Sequence, residues 1–198
     1  LLRGAERRKD QSYVLYQLTQ HQLAHLLLPV GDFDKDAIRQ EAARNAEYQH
    51  MGTTLVCAVA RSDMAIIGNI GDSRAYHITP EGIFQISRDH SVVENMVAKG
   101  DLTPLEARTH PNRNLITRAL GPDIHAKADT FELPWHKDEF LLLCSDGLVN
   151  TVSDQEMLFE VLHDGDVNEC LDHLLQISLQ RGAPDNITAV LLLNEEGR

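Results

Sequence analysis

What this 198-residue chain lacks narrows its chemistry first. It has three cysteines, Cys57, Cys144 and Cys170, an odd number with no Cys-x-x-Cys pair. That excludes a disulfide framework and a zinc ribbon. It suits reduced thiols in a cytoplasmic setting, each read as a small buried hydrophobe. No apolar run approaches the ~20 residues that span a bilayer, and the basic N-terminus is not followed by an apolar signal core. Membrane insertion is therefore not expected. Positive charge is scarce as well: 18 Lys and Arg stand against 30 Asp and Glu, a net charge of −12. Such a surface repels polyanions, which disfavours nucleic-acid and phospholipid partners.

Several catalytic signatures are also missing. Neither the phosphate-cradling Gly-x-x-x-x-Gly-Lys-[Ser/Thr] loop nor a Gly-x-Ser-x-Gly nucleophile elbow occurs. His21 and His25 are four apart, but Gln22 stands where a zinc-protease helix needs Glu. The other histidines are scattered, and His90 and His110 read as solvated or capping residues. What remains is 42% apolar and free of low-complexity tracts, enough for one globular domain with a substantial core.

Periodicity supplies the elements. Apolar spacing gives a helix over 18–28, and Asp34 or Asp36 caps another to about Glu47. Strands follow at Thr53–Arg61 and Ala65–Asn69, then Ser73–Ile78 and Ile83–Ser87, whose short turns imply an antiparallel meander. Ser91-x-x-Glu94 and Thr103-Pro104-Leu105-Glu106 start two short helices, with Gly100 ending the first. Residues 115–120 and 127–133 read as strand or connector, and Phe140–Cys144 as a buried strand. Ser153 caps a helix to about Leu162, Asp166 caps Val167–Gln180, and a last strand ends near Leu193. Strands and helices are segregated, which argues for an α+β fold of antiparallel sheets with helices outside.

Three acidic strings stand against these strands: Gly71-Asp72-Ser73-Arg74, Ser145-Asp146-Gly147-Leu148 and Asp185-Asn186-Ile187-Thr188. A carboxylate at a strand end, beside glycine and small polar residues, suits a hard divalent ion that takes oxygen ligands and keeps several waters. Asp72 by itself is also a common turn former.

The order of these strings, together with Met51-Gly52-Thr53-Thr54, Ser87-Arg88-Asp89-His90-Ser91 and His110-Pro111 leading into Leu115-Ile116-Thr117-Arg118-Ala119-Leu120-Gly121, resembles the bacterial form of the metal-dependent (type-2C, PPM) protein serine/threonine phosphatases. The likeness runs from Met51 to Leu193. It implies two stacked antiparallel β-sheets flanked by helices (an αββα sandwich), a helical flap at about 91–112, and one phosphatase-like domain over 1–198 with an incomplete N-terminal strand segment. It also implies hydrolysis of phosphoserine and phosphothreonine in proteins, substrates of a Ser/Thr kinase, by a water activated on two Mn²⁺ or Mg²⁺. Asp146 and Asp185 would hold one metal and serve catalysis through that water, and Asp72 would help hold a third, looser ion.

One departure accompanies the match. The family's second strand ends in an Ala-Asp-Gly-Met-Gly-Gly-like turn whose Asp bridges the two metals, and this chain has no such turn. Its only Asp-Gly pairs are Asp146-Gly147 and Asp164-Gly165. The stretch Arg7–Leu15 is offered as a remnant of the first strand, with Asp10 near the acidic position and a candidate metal ligand. Without a bridge, the alternative is an inactive phosphatase-like regulatory or binding module.

Overall fold

Alternation of apolar side chains along the strands builds the fold in layers. The computed structural model describes residues 52–121, 126–163 and 166–195, which lie in the second of two units, Leu1–Met51 and Gly52–Arg198. The readings over 7–15, 18–28 and 34–47, including Asp10, fall outside the described residues. Strands β1 (Leu55–Ala60), β2 (Met64–Ile70) and β5 (Asp129–Pro134) form a three-stranded antiparallel sheet in the order β1-β2-β5. Strands β3 (Arg74–Thr79), β4 (Gly82–Gln85), β6 (Phe140–Cys144) and β7 (Ala189–Leu193) form a second, in the order β4-β3-β6-β7.

The period of two in β3 and β6 feeds two cores. Ala75 and Leu141 join Ala65, Ile67, Leu133 and Trp135, a cluster drawn from both sheets and so lying between them. Their neighbours Tyr76, Ile78 and Leu142 point the other way, into a cluster with Leu148, Val152, Met157, Val161, Cys170 and Leu174. That second core is closed by helices α3 (Asp146–Val149), α4 (Asp154–His163) and α5 (Val167–Gln180). The segregation read from the sequence holds: two antiparallel sheets with flanking helices.

Caps set the helix ends where the sequence placed them. Asp166 accepts hydrogen bonds from the Asn168 and Glu169 amides at the start of α5. Ser153 and Glu156 exchange hydrogen bonds at the start of α4. In the flap, Ser91 caps α1 (Val92–Lys99), Gly100 ends it at φ 81°, and Thr103 with Glu106 makes a capping box for α2 (Pro104–Thr109).

Three features differ from the sequence reading, and one open reading is resolved. The strands do not form one meander: β2 and β3 never pair, and Gly71-Asp72-Ser73 is a corner that carries the chain from one sheet to the other. Both strands present inner faces to the shared core, so a hairpin between them would have put those faces side by side in one layer. Asp146 opens a short helix, α3, whose single turn is too brief to show a period. Of the two alternatives for residues 115–120, strand or connector, the structure has the connector, with isolated bridges Thr53↔Leu120 and Ser91↔Ile116. Cys57 is exposed, because it lies on the outer face of β1, while Cys144 and Cys170 are buried as expected.

The flap is thinly anchored. Val93 is the one buried residue of α1, α2 has none, and Leu105 is 76% exposed. Local opening free energy follows buried apolar contact, so amides over 92–109 should exchange faster by at least an order of magnitude than those of Phe140–Cys144. Hydrogen exchange read by mass spectrometry checks this, and equal protection in the two segments would contradict it.

Candidate metal centre

Strand register gathers three acidic turns at one end of the four-stranded sheet. Arg74 at the start of β3 lies opposite Cys144 at the end of β6, and Cys144 lies opposite Ala189 at the start of β7. Antiparallel pairing therefore places Asp72, two residues before β3, Asp146, two residues after β6, and Asp185, four residues before β7, at the same edge.

The Asp146 turn and the Asp185 loop are sewn together. The Ser145 amide donates to the Thr188 carbonyl at 2.9 Å, and the Thr188 amide returns a bond to Ser145 Oγ at 3.0 Å. Ser145 Oγ also donates to the Asn186 carbonyl at 3.2 Å. Gly147 is required by this approach, since a Cβ there would collide with the Asn186 carbonyl oxygen. From the other side, Arg181 at the end of α5 holds the base of the loop. Its guanidinium donates to the Thr151 carbonyl at 2.7 Å and to Glu156 at 2.9 and 2.6 Å. The chain then turns through Gly182 at φ 91° and Ala183 at φ 33°, and Asp185 Oδ1 accepts from the Asn186 amide at 2.7 Å.

The Asp72 corner is held by neighbours that have no charge. Thr54 packs so closely on Gly71 that a Cβ at position 71 would overlap it, and its hydroxyl lies 2.8 Å from Ser73 Oγ. Gly71 has φ 107°, open to glycine alone at little cost.

Charge at this edge is unbalanced. Burial, then the charge of Asp146, raises the pKa of Asp72. Burial, then the charge of Asp185, raises that of Asp146. Asp146 thus sits electrostatically between the other two. One cation is close: Arg74, whose Nε and Nη2 grip Asp89 at 2.8 to 3.1 Å and whose Nη1 donates to Tyr76 Oη at 3.1 Å. Burial opposes the guanidinium charge, but the Asp89 bonds hold its pKa above the ordinary value. Arg74 directs its hydrogen bonds to Asp89 and Tyr76, and its charge offsets the raised pKa of Asp72 and Asp146 only in part.

These observations decide how far the residues suit a divalent ion. Oxygen donors gathered at one sheet edge, with Asp72 and Asp146 raised in pKa by burial and then by a neighbouring carboxylate, match what Mg²⁺ and Mn²⁺ take. Among the described residues, no three candidate ligands close round a single point. The donor chemistry fits, and the described residues supply part of a ligand set.

Two residues were underestimated in the sequence. His90 is buried at 5% exposure, not solvated, and binds the Gly71 amide and Asp129. Asp89, beside it, belongs to the acidic edge through its effect on Asp72. Their shared motif, Arg88-Asp89-His90-Ser91, was visible as family wording but offered no strand end or metal-ligand spacing to single them out. His110 does cap locally, accepting from the Asn112 amide.

Two outcomes follow. Gly147→Ala should push the Asn186 carbonyl away and lower Mn²⁺ affinity several-fold, measured by calorimetry on the folded variant. Asp146→Asn should stabilise the metal-free chain at pH 7. A raised carboxyl pKa makes ionisation costly to the fold, absent below the ordinary value of 3.8 and complete above the raised one. The gain in melting temperature should therefore vanish as pH falls toward 3.8, and a pH-independent gain would contradict this origin.

Comparison with known proteins agrees with the geometry over most of the chain. The serine/threonine phosphatase Stp of Listeria monocytogenes is 36% identical over 151 residues, 75% of this chain and 60% of that protein. A crystal structure of a bacterial serine phosphatase bearing a single arginine-to-lysine mutation is 37% identical with a TM-score of 0.76, covering 91% of this chain and 73% of that one. The catalytic domain of the phosphatase PstP, solved in complex with 2 manganese ions, is 32% identical with a TM-score of 0.69, covering 78% and 64%. The chain thus spans about three fifths of the length of the Listeria relative and 30% of the Mycobacterium tuberculosis phosphatase PstP. Residues 1–55 match a different family model, the tRNA methyl transferase HUP domain. Identity at this level over three quarters of the chain and more has one consequence: the chain belongs to the PPM family of protein serine/threonine phosphatases, in its bacterial form.

Proposed function

We propose that this chain carries the greater part of a metal-dependent phosphatase that hydrolyses phosphoserine and phosphothreonine in proteins. One observation carries the reading. Three acidic turns, each in family wording, meet at one sheet edge with the carboxyls of Asp72 and Asp146 raised in pKa by burial and then by a neighbouring carboxylate. The manganese bound in the PstP structure supports a divalent ion as cofactor. We assign Asp146 and Asp185 to one metal and Asp72 to a further, looser one. An ion held by these residues would supply Lewis acidity toward a water and toward the phosphoryl oxygens, a chemistry that needs no covalent phospho-enzyme.

The chain's own residues prepare that site. Ser145 and Gly147 fix the separation of the Asp146 and Asp185 turns. Arg181 holds the loop that delivers Asp185, and Thr54 with Ser73 holds the corner that delivers Asp72. Asp185 is exposed, leaving the edge open to a protein-borne phosphate. Substrates are then phosphorylated proteins, products of a Ser/Thr kinase, in the cytoplasm.

The bridging carboxylate is the unmet requirement. Residues 1–55 have their own likeness to another family, yet the likeness to the solved serine phosphatase covers 91% of the chain and so reaches into them, and Asp10 stays the candidate ligand there. The Asp-Gly-Met-Gly-Gly turn itself does not occur in the 198 residues.

The test compares two proteins. The chain as it stands should bind Mn²⁺ weakly and turn over p-nitrophenyl phosphate and a phosphothreonine peptide slowly. Replacing residues 1–51 with a family-like segment containing Ala-Asp-Gly-Met-Gly-Gly should raise turnover at least a hundredfold. In that completed protein, Asp146→Ala or Asp185→Ala should return it to background with the fold intact by circular dichroism. Near-normal turnover in folded Asp146→Ala would defeat the assignment.

A further inference from the structure

The flap leaves the fold immediately after His90 and rejoins it at Thr117 and Arg118, and one carboxylate meets the side chains at both ends. His90 Nε2 lies 3.0 Å from Asp129 Oδ2, and Arg118 Nη1 donates to Asp129 Oδ1 at 2.9 Å. The backbone closes the same loop, since the Thr117 amide donates to the His90 carbonyl at 2.7 Å. The other ring nitrogen faces the opposite way. His90 Nδ1 accepts the Gly71 amide proton at 3.1 Å, and the His90 amide donates to the Gly71 carbonyl at 2.8 Å.

This geometry fixes the tautomer. An amide N–H can only donate, so Nδ1 must carry a lone pair, and the neutral ring holds its proton on Nε2. That proton goes to Asp129, not to Arg118 Nη1, which lies 3.2 Å away and is itself a donor. Asp129, ionised and held below the usual carboxyl range by the His90 bond and then by Arg118, is the acceptor for both. A buried side chain with both nitrogens committed to different elements has one orientation open to it.

We propose that His90 is a positioning residue, one ring joining the Asp72 corner to the two anchor points of the flap. Movement of the flap base at Arg118 or Asp129 is thereby felt at Gly71, and through it at Asp72. The coupling itself is a matter of hydrogen bonds. Its consequence for metal rests on the reading of Asp72 as a ligand.

Two near-isosteric variants separate the arms. In His90→Asn, the amide oxygen reaches the Nδ1 position and keeps the Gly71 bond but not Asp129. In His90→Gln, the amide nitrogen reaches the Nε2 position and keeps Asp129 but loses the acceptor for Gly71. By NMR hydrogen exchange on the full chain, the Gly71 amide should exchange on the order of tenfold faster in His90→Gln, the scale of one hydrogen bond, and near wild-type rate in His90→Asn. The Thr117 and Arg118 amides and those of 92–109 should show the reverse order, with Phe140–Cys144 unchanged in both. Equal Gly71 protection in His90→Gln and wild type would overturn the proposal, and so would the same response in both variants. The wild-type ring provides a check that needs no variant: two-bond ¹⁵N correlations should report Nδ1 unprotonated and Nε2 protonated, and the opposite tautomer would overturn it equally. For the metal arm, Mn²⁺ titration should show His90→Gln weakened in the same direction as Asp72→Ala. Should Asp72→Ala bind Mn²⁺ like wild type, the ligand reading fails while the exchange pattern still supports the coupling.

Discussion

The register of β3, β6 and β7 is the constraint on which the rest depends. Setting Arg74 against Cys144 and Cys144 against Ala189 brings turns from widely separated parts of the sequence to one edge. A slip of one residue would turn Leu141 and Leu142 to the wrong faces and empty both cores at once. Register and hydrophobic pattern thus enforce each other: the two clusters that accept alternate residues of β6 also fix where Asp146 leaves the strand. The site is precise because the core is.

That precision works against stability. Asp72 and Asp146 are part-buried, each is raised by a neighbouring carboxylate, and the nearby Arg74 is committed to Asp89. A protein selected only to fold would place a free lysine or arginine among such groups, or an apolar residue. Keeping like charges together with only partial compensation from Arg74 makes sense where a divalent cation supplies the missing charge. The same strain makes the edge a place of ligand-dependent stability.

Much of this was legible in the residues. Phe140–Cys144 and Val167–Gln180 appear with the bounds their sequence suggested, because an apolar run between polar turns and an Asp cap are local signals. The caps of the flap helices were equally local. Three things were not. Whether β2 and β3 pair or part is settled by which faces share a core, a long-range matter that a Gly-Asp-Ser turn does not disclose. His90 looked like a surface histidine because its partners, Gly71 and Asp129, are 19 and 39 residues away. Cys57 looked buried because cysteine usually is, yet alternation along β1 puts it on the outer face. As for the site, Asp72, Asp146 and Asp185 stood out from chemistry and wording together. Their convergence needed the sheet.

The wording itself has a physical reading. The Asp72 and Asp146 turns are flanked by residues that are small for want of space. Gly71 admits Thr54, and Gly147 admits the Asn186 carbonyl. Ser145 is small enough to bond two backbone groups of the facing loop with one hydroxyl, where a longer side chain would hold the loops apart. Asp in turn is the shorter of the two acids, and its single methylene keeps the carboxylate bound to the position of its own strand end. Gly-Asp-Ser and Ser-Asp-Gly are therefore one solution applied twice, a short carboxylate on a fixed backbone with its neighbours pared away, and the Asp185 turn is the loop that the second of them receives. That is why strings so common in ordinary loops become specific when they stand in this order, each against its own buried strand.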